Sequence, residues 1–298
     1  MKYIIDTDPG IDDAIAICMA IRNKLDVIGF TLATGNVDPD KSENNLKIIE
    51  DFLDTNIPIF KGEIINRSSE TAEYAHGKDG LGYAVFPQNE TRRIEKMSAE
   101  EFIIKSSKKY KDDLTVVCLG PLTNLANAIR KDKNLPKRIK HLVVMGATFD
   151  PDASEAYKEF NIKIDPLAAK IVLSSPFEEI KVITHEVGVK SFIEKDYVLN
   201  LKNSDDLISR FVGLISEKYI EFSYEHHGTI GLGTPDPTTI ASIIDKDLIT
   251  YEPFKIDVKT EGEDVGYSYA TKVDNSNILL STDFNLEKFR ELFKNTFK

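Results

Sequence analysis

Short apolar runs alternate with amphipathic segments along most of the chain. The runs are rich in Val and Ile and are bounded by Gly, Pro or polar residues, which is typical of buried strands. They cover residues 3–5, 26–33, 114–119, 141–145 and 180–184. Segments with a helical spacing of apolar positions follow at residues 14–20, 41–53, 123–130 and 166–174. This alternation predicts an α/β fold with an open, mainly parallel, doubly wound sheet and helices on both faces.

Two glycine-bearing stretches interrupt the alternation. Residues 68–88 predict a mobile lid loop, and residues 228–236 predict a second loop. Near the C-terminus, residues 254–259 and 267–272 predict a hairpin-like pair of strands, and residues 286–297 predict a closing amphipathic helix. Because the sequence contains no internal repeat and no linker-like tract, we predict a single domain over residues 1–298.

The composition argues against several classes of partner. The 298 residues carry a net charge of −11 and no basic run, which disfavours nucleic acid and anionic membranes. No apolar stretch is long enough to span a bilayer, and the first strand begins too early to leave room for a signal peptide. Cys18 and Cys118 lie in apolar segments, which is typical of core residues in a reducing compartment. We therefore expect a soluble cytoplasmic protein.

An acidic motif follows directly after the first apolar run. Asp6, Asp8, Asp12 and Asp13 crowd into residues 6–13, where the chain turns from a strand into a helix. The N-terminus of a helix favours carboxylates, but so many close together repel one another strongly. A bound cation would relieve that repulsion, and oxygen ligands suit calcium or magnesium. The alternative is an acidic turn with one helix cap and three solvated neighbours.

Further polar residues lie where other strands end. The carboxyl ends of parallel strands meet at one edge of a sheet, so the acidic motif should converge there with the pairs Gly35-Asn36, Gly120-Pro121 and Gly146-Ala147. The segment Glu159–Asn161 adds two more polar groups, one on each side of an aromatic residue. Carboxylates and amides there suit a polyhydroxylated ligand, because each hydroxyl both donates and accepts. Asp236 could supply a third metal-binding carboxylate. Its alternative role is to cap a helix predicted over residues 238–244.

The histidines do not suggest a transition-metal site. His76 lies in the loop at residues 75–80, and His226 and His227 lie between a helix predicted to end near Tyr224 and Gly228. None has the spacing to another His or Cys that such metals use.

Several motifs together resemble those of the nucleoside hydrolases of the inosine-uridine preferring type. The most specific is DTDPGIDDA at residues 6–14, and GPLTNLA at residues 120–126 adds to it. Supporting matches are TGN at residues 34–36, HGKDGLG at 76–82, EFN at 159–161, DP at 165–166 and DP at 236–237.

The resemblance implies a calcium-dependent N-ribohydrolase that cleaves a ribonucleoside into ribose and free base. Calcium would be held by Asp8, Asp13, Asp236 and the main-chain carbonyl of Leu119, with Asp8 also the base for a calcium-bound water. The implied ribose-binding residues are Asp12, Asn36, Asn161 and, on the 5′ side, Glu159. The resemblance also implies a homodimer or homotetramer.

The residues at the positions that recognise the base in this family depart from the family pattern. Pro235 stands where relatives carry a histidine that helps to protonate the leaving base, and the chain contains no Trp to stack on it. The asparagine expected upstream of Glu159 falls on Ala153. We place His76 and His227 with Asp8 among the catalytic candidates, and keep Tyr219, Tyr224 and His226 as further leaving-group candidates.

Three alternatives stay open at this point. A magnesium-dependent phosphatase resembling the haloacid-dehalogenase-like enzymes would also use an Asp-x-Asp motif, but it would want Thr or Ser where this chain has Gly10. A degenerate relative could bind ribose or a nucleoside without turnover. An enzyme could also act on a ribosyl compound whose leaving group needs no acid.

Overall fold

The strands of this computed structural model, which describes residues 1–63, 70–87, 93–148 and 158–298, form one large sheet and one short ribbon. The strands are β1 (Lys2–Thr7), β2 (Val27–Leu32), β3 (Ile59–Lys61), β4 (Leu114–Cys118), β5 (His141–Met145), β6 (Glu179–Ile183), β7 (Phe192–Glu194), β8 (Gly231–Gly233), β9 (Ile249–Val258), β10 (Ser268–Lys272) and β11 (Ile278–Phe284). Nine of them lie in the order β10-β9-β11-β6-β5-β4-β1-β2-β3, and β7 pairs with β8.

The large sheet is parallel from β3 through to β11, and β9 runs antiparallel to both of its neighbours, β11 and β10. This confirms the predicted mainly parallel sheet. The predicted hairpin-like pair is also confirmed, because β9 and β10 pair antiparallel with Val258 opposite Ser268.

Helices cover both faces of this sheet. They are α1 (Ile11–Arg22), α2 (Pro39–Leu53), α3 (Glu73–His76), α4 (Ala99–Tyr110), α5 (Thr123–Lys131), α6 (Phe160–Ile164), α7 (Pro166–Leu173), α8 (His185–Lys190), α9 (Lys195–Asn200), α10 (Leu207–Ile215), α11 (Glu217–His227), α12 (Pro235–Ile244) and α13 (Leu286–Thr296). Short 3₁₀ turns lie at Lys111–Asp113, Leu135–Lys137 and Leu201–Asn203.

Alternate residues of β4 point into two separate cores. Val117 packs in the core that contains Ile15 of α1, whereas Val116 packs in the core that contains Leu125 of α5. Successive side chains of a strand leave opposite faces, so a strand buried on both sides reads as a continuous apolar run. The predicted doubly wound arrangement is thereby confirmed, while the single domain over residues 1–298 stays a prediction.

The two cysteines lie in different cores. Cys18 belongs to the core on the α1 side and Cys118 to the core on the α5 side, and both are buried free thiols. Burial raises the pKa of the Cys18 thiol to about 12, so a thiolate is disfavoured there. Their prediction as core residues is confirmed. Within the described ranges, no helix is both long and apolar enough to cross a membrane.

The central strands create a switch point at one edge of the sheet. From β1 the chain continues to β2 on one side and later returns to β4 on the other side of β1. The crevice at the carboxyl ends of such strands is where ligands bind in this class of fold. Asp8 directly follows β1, Gly35 comes three residues after the end of β2, and Gly120 comes two residues after the end of β4.

Several predicted boundaries were wrong. The helix predicted from residue 238 begins at Pro235 with Thr234 as its N-cap, so Asp236 lies in the first helical turn and is not the cap. Proline suits that turn because its missing N–H would have no helical partner. The helix predicted to end near Tyr224 continues to His227, so the two histidines lie within α11. The residue 228–236 segment contains β8, and β11 was not predicted.

The proposed lid is described only in part. Residues 70–87 contain the short helix α3, and residues 68, 69 and 88 of the predicted loop lie outside the described residues. Ala153 also lies outside them.

Candidate functional site

The acidic motif lies in the turn from β1 into α1. Asp8, Asp12 and Asp13 are all buried there. The Asp13 carboxylate accepts hydrogen bonds from the Thr7 hydroxyl (2.5 Å) and the Gly10 main-chain N–H (3.1 Å). It therefore closes the turn and satisfies a free amide of the helix N-terminus.

Asp236 joins this motif because α12 packs against α1. Ligand oxygens of Asp12, Asp13 and Asp236 lie within 4.8 Å of one another. Burial, together with the charges of these neighbours, raises the pKa of the Asp236 carboxyl well above its usual range, and burial raises that of Asp12 to about 6. Such a buried cluster is costly unless a cation neutralises it. Its all-oxygen donor set fits a hard divalent ion.

Asp8 lies beside this cluster, in a narrow gap between two strand ends. Its Oδ2 accepts a hydrogen bond from the Asn36 main-chain N–H (2.8 Å), whereas its buried Oδ1 has no hydrogen-bond partner among the described residues. A Cβ at Gly35 would lie 2.0 Å from Oδ2, and one at Gly120 would lie 2.3 Å from Oδ1. Glycine is therefore required on both sides of the carboxylate by close approach.

Asp6 lies within β1, just before the acidic turn, and bonds to neighbouring elements. It accepts hydrogen bonds from the Thr31 hydroxyl and from the Asn124 side-chain amide. Burial raises its pKa to about 7. The carboxylate therefore connects β1 with β2 and α5.

The amides and Glu159 extend the polar surface along the sheet edge. The Asn36 side-chain amide donates to Asp13 Oδ2 (2.9 Å), and that of Asn161 donates to the Leu119 carbonyl (2.6 Å). Glu159 caps α6 by accepting from the main-chain N–H groups of Asn161 (2.9 Å) and Ile162 (3.0 Å). Burial nevertheless raises its pKa to about 7.

These residues line one side of an open cleft. We call this side the acidic wall; it consists of Asp12, Asn36, Leu119, Glu159, Asn161 and Asp236. The remaining lining includes a group of rings that we call the aromatic wall; it consists of Tyr74, His185, Phe222, His227 and Pro235.

His76 and Tyr219 connect the two walls. The Tyr219 hydroxyl donates to Asp12 Oδ2 (3.1 Å), and its ring stacks on that of His76 with 5.1 Å between centroids. His76 is only 4% exposed, and its Nδ1 accepts a hydrogen bond from the Ile11 main-chain N–H (3.1 Å). Burial lowers the pKa of His76 to about 4, so the neutral imidazole keeps its proton on Nε2.

The structure separates the leaving-group candidates into two sets. His76, Tyr219 and His227 line the cleft. Tyr224 is 64% exposed and lines a different groove, while the exposed His226 packs its ring on Phe222 outside the cleft lining. The geometry therefore gives neither of these two a contact with the cleft.

Sequence reasoning did not include the aromatic wall residues His185, Phe222 and Tyr74 in the site. His185 had a usable signal, because it comes two residues after the end of β6, at the same edge as the other polar residues. Phe222 had none, since an aromatic residue in a helix is more often part of a core. Tyr74 lies in the segment that was predicted as a lid loop, and it was not singled out there.

Comparison with known proteins identifies the family. The model of the inosine-uridine preferring nucleoside hydrolases matches residues 3–291. The chain belongs to this family. It is therefore an N-ribohydrolase that acts on ribonucleosides. The family is metal-dependent, in agreement with the buried carboxylate cluster of this nucleoside hydrolase.

Several relatives of the hydrolase are similar over most of their length. Uridine nucleosidase 1 of Arabidopsis thaliana is 33% identical over 273 residues, which cover 90% of this chain and 81% of the relative. The probable uridine nucleosidase 2 of the same plant is 35% identical over 271 residues, which cover 88% of this chain and 83% of the relative. The solved structure of the purine-preferring ribonucleoside hydrolase from Gardnerella vaginalis is 27% identical in sequence and has a TM-score of 0.90. The match covers 99% of this chain and 98% of that chain.

Proposed function

We propose that this nucleoside hydrolase cleaves the N-glycosidic bond of uridine and related ribonucleosides in a calcium-dependent reaction, with Asp8 as the general base. The observation that carries the proposal is the buried Oδ1 of Asp8, which has no hydrogen-bond partner in the described part of the chain and lies beside the Asp12, Asp13 and Asp236 carboxylates. Uridine is included because two relatives at 33% and 35% identity are named as uridine nucleosidases.

Asp8, Asp13, Asp236 and the Leu119 carbonyl are the proposed calcium ligands. Their oxygens suit a hard cation that accepts six to eight such donors. Asp12 lies close enough to Asp13 and Asp236 to contribute as well. When bound, calcium would neutralise the carboxylates and favour the ionised form of water.

Asp8 Oδ1 is the group proposed to take the proton from the attacking water. The water oxygen then bonds to the anomeric carbon, and the electron pair of the C–N bond leaves with the base. A carboxylate positioned as a general base accelerates such a step roughly 10²–10⁴-fold.

The acidic wall is the proposed ribose site. Asp12, Asn36 and Asn161 would bind the 2′- and 3′-hydroxyls, and Glu159 the 5′ side. Asp12 accepts from Tyr219, and Asn36 is fixed by Asp13, so both are oriented before the sugar arrives.

His76 and His227 are the proposed hydrogen-bond donors toward the leaving base. His76 has Nε2–H available in the tautomer that its Ile11 contact selects. Pro235 also lines the cleft, and its side chain has no proton to donate.

The family resemblance further suggests a homodimer or homotetramer of ribonucleoside-binding subunits located in the cytoplasm. Light scattering of the purified protein tests the assembly.

A hydrolysis panel tests the function. Uridine, inosine, cytidine, adenosine and p-nitrophenyl riboside are each assayed for ribose release with calcium, after EGTA, and after adding back calcium or magnesium. We expect uridine and the activated riboside to be cleaved, EGTA to abolish cleavage, and calcium to restore it. Full activity in EGTA would overturn calcium dependence. Binding of ribose without cleavage of any riboside would identify a binding protein instead.

A further inference from the structure

Two histidines from separate elements face each other in the aromatic wall. His185 begins α8 and is held by a hydrogen bond from its main-chain N–H to the Ala147 carbonyl (3.0 Å). His227 is the last residue of α11. Their ring centroids are 5.4 Å apart, with 63° between the ring planes. Both rings line the cleft that also contains the acidic wall.

The two imidazoles are held in the neutral state. Burial lowers the pKa of His185 to about 3, and both burial and the neighbouring His226 lower the pKa of His227. A neutral imidazole has one N–H donor and one acceptor nitrogen. It is a poor proton donor at neutral pH but a good hydrogen-bond donor to an oxygen that is gaining negative charge.

The surroundings of the pair suit a flat, largely apolar group. The Phe222 ring meets the His227 ring edge to face, with 5.4 Å between centroids and an 87° angle. Pro235 packs closely on α8, since a Cβ at Gly188 would lie 2.9 Å from the Pro235 Cβ. Among the described lining residues, the carboxylates Asp12, Glu159 and Asp236 all belong to the acidic wall.

Charge and shape therefore differ between the walls in the way that a nucleoside requires. The acidic wall offers carboxylates and amides to the hydroxyls of a sugar. The aromatic wall offers rings and neutral N–H donors to a heterocycle. His76 lies at the acidic wall and outside this pair, because its ring stacks on Tyr219 and its Nδ1 lies 3.8 Å from Asp12 Oδ1.

We infer that His185 and His227 together bind the carbonyl edge of an oxo-substituted base, such as uracil or hypoxanthine, and determine which bases are cleaved. This inference rests on the proposed function. As the C–N bond breaks, its electron pair passes to the base ring and is delocalised onto the carbonyl oxygens. The two imidazole N–H groups stabilise that charge through hydrogen bonds, and the base later takes its proton from solvent.

The test compares His185→Ala, His227→Ala and the double variant on uridine and on p-nitrophenyl riboside. Each single change should lower kcat/KM for uridine about 10-fold, and the double change about 100-fold, because each removes a hydrogen bond to a charged oxygen. Turnover of p-nitrophenyl riboside should change less than about threefold, since its leaving group is already stable as an anion. His185→Asn, which keeps a donor, should retain more uridine activity than His185→Ala.

His141→Ala is the matched control. His141 starts β5, at the edge of the sheet opposite the cleft, and its change should leave both substrates unaffected. Equal losses on both substrates in the His185 and His227 variants would overturn the pair's role in base binding, and so would unchanged uridine kinetics.

Calorimetric binding separates this inference from the proposed function. If the wild type binds uridine and ribose but cleaves no riboside, the proposed function is wrong. In that case the binding affinities of the His185→Ala variant test the role of the histidine pair. Weaker uridine binding with unchanged ribose binding would support base binding by the pair. Equal binding of both ligands by the wild type and the variant would overturn it.

Discussion

The acidic wall and the aromatic wall are built in different ways. Most of the acidic wall follows the ends of parallel strands, and its side chains bond to main-chain groups and to the neighbouring Asp13 and Tyr219. The aromatic wall comes mainly from α8, α11 and the first residue of α12, and its contacts are largely between rings. Strand ends give fixed geometry for demanding chemistry, whereas helix surfaces can exchange side chains without disturbing the sheet.

The comparison also separates two energetic problems. The acidic wall keeps several carboxylates buried, which is tolerable only with a cation and many donors. The aromatic wall keeps imidazoles neutral, so it needs no counter-charge. We therefore expect substitutions in the acidic wall to reduce cleavage of every riboside. Substitutions in the aromatic wall should reduce cleavage only of nucleosides with particular bases.

The largest effect is expected for Asp8→Asn. The amide cannot take a proton from water, so kcat should fall roughly 10²–10⁴-fold, equally for uridine and p-nitrophenyl riboside. Steady-state kinetics on both substrates measure this, with the exposed Asp112→Asn as the control. Full activity of Asp8→Asn would exclude the proposed base.

A similar loss from a purely steric cause is expected for Gly120→Ala. The new Cβ would lie 2.3 Å from Asp8 Oδ1 and displace the carboxylate. Misplacement on this scale costs about 100-fold, again on both substrates. Gly262→Asn is the control, because a Cβ at Gly262 meets nothing within 4 Å and Asn tolerates its positive φ. Normal kcat in Gly120→Ala would show that Asp8 does not need this position.

Calcium should stabilise the fold through the acidic wall. At a hundred times its Kd, a ligand that binds only the folded state adds about 2.7 kcal/mol to the free energy of unfolding. Denaturation curves with and without calcium measure the gain. Asp236→Asn should remove most of it, while Asp112→Asn should keep it. An equal gain in Asp236→Asn would place the ion elsewhere.

Tyr219→Phe tests the boundary between the walls. Losing the hydroxyl that donates to Asp12 Oδ2 should lower kcat/KM about 10-fold, the cost of a hydrogen bond to a charged group. If Tyr219 acts through Asp12, kcat/KM should fall by the same factor for uridine and for p-nitrophenyl riboside. A loss confined to uridine would instead assign Tyr219 to the leaving base.

The smallest effect is expected for Tyr224→Phe and His226→Ala, which lie outside the cleft lining. Surface changes of this kind usually stay within about 0.5 kcal/mol, so kcat/KM should change less than about twofold. A tenfold loss specific to nucleosides would bring one of them back as a leaving-group residue.

Much of the fold was predictable because its signals are local. The apolar runs at β1, β4 and β5 are buried on both faces, so they read clearly as parallel strands. β11 was missed because polar residues interrupt its C-terminal half, and its place beside β6 depends on pairing across the chain. The start of α12 was misplaced because proline and aspartate are also typical of loops.

By itself, the sequence determined the strand-turn-helix that carries Asp8, Asp12 and Asp13, because neighbours in such a turn are held together by local hydrogen bonds. Only the tertiary structure decided that Asp236 joins Asp12 and Asp13, and that His185 contacts His227. It also decided that one buried oxygen of Asp8 has no hydrogen-bond partner among the residues that the structure describes. These contacts join residues far apart in the chain. They depend on how α12 packs on α1 and on where α8 and α11 end, and no spacing within one segment specifies that.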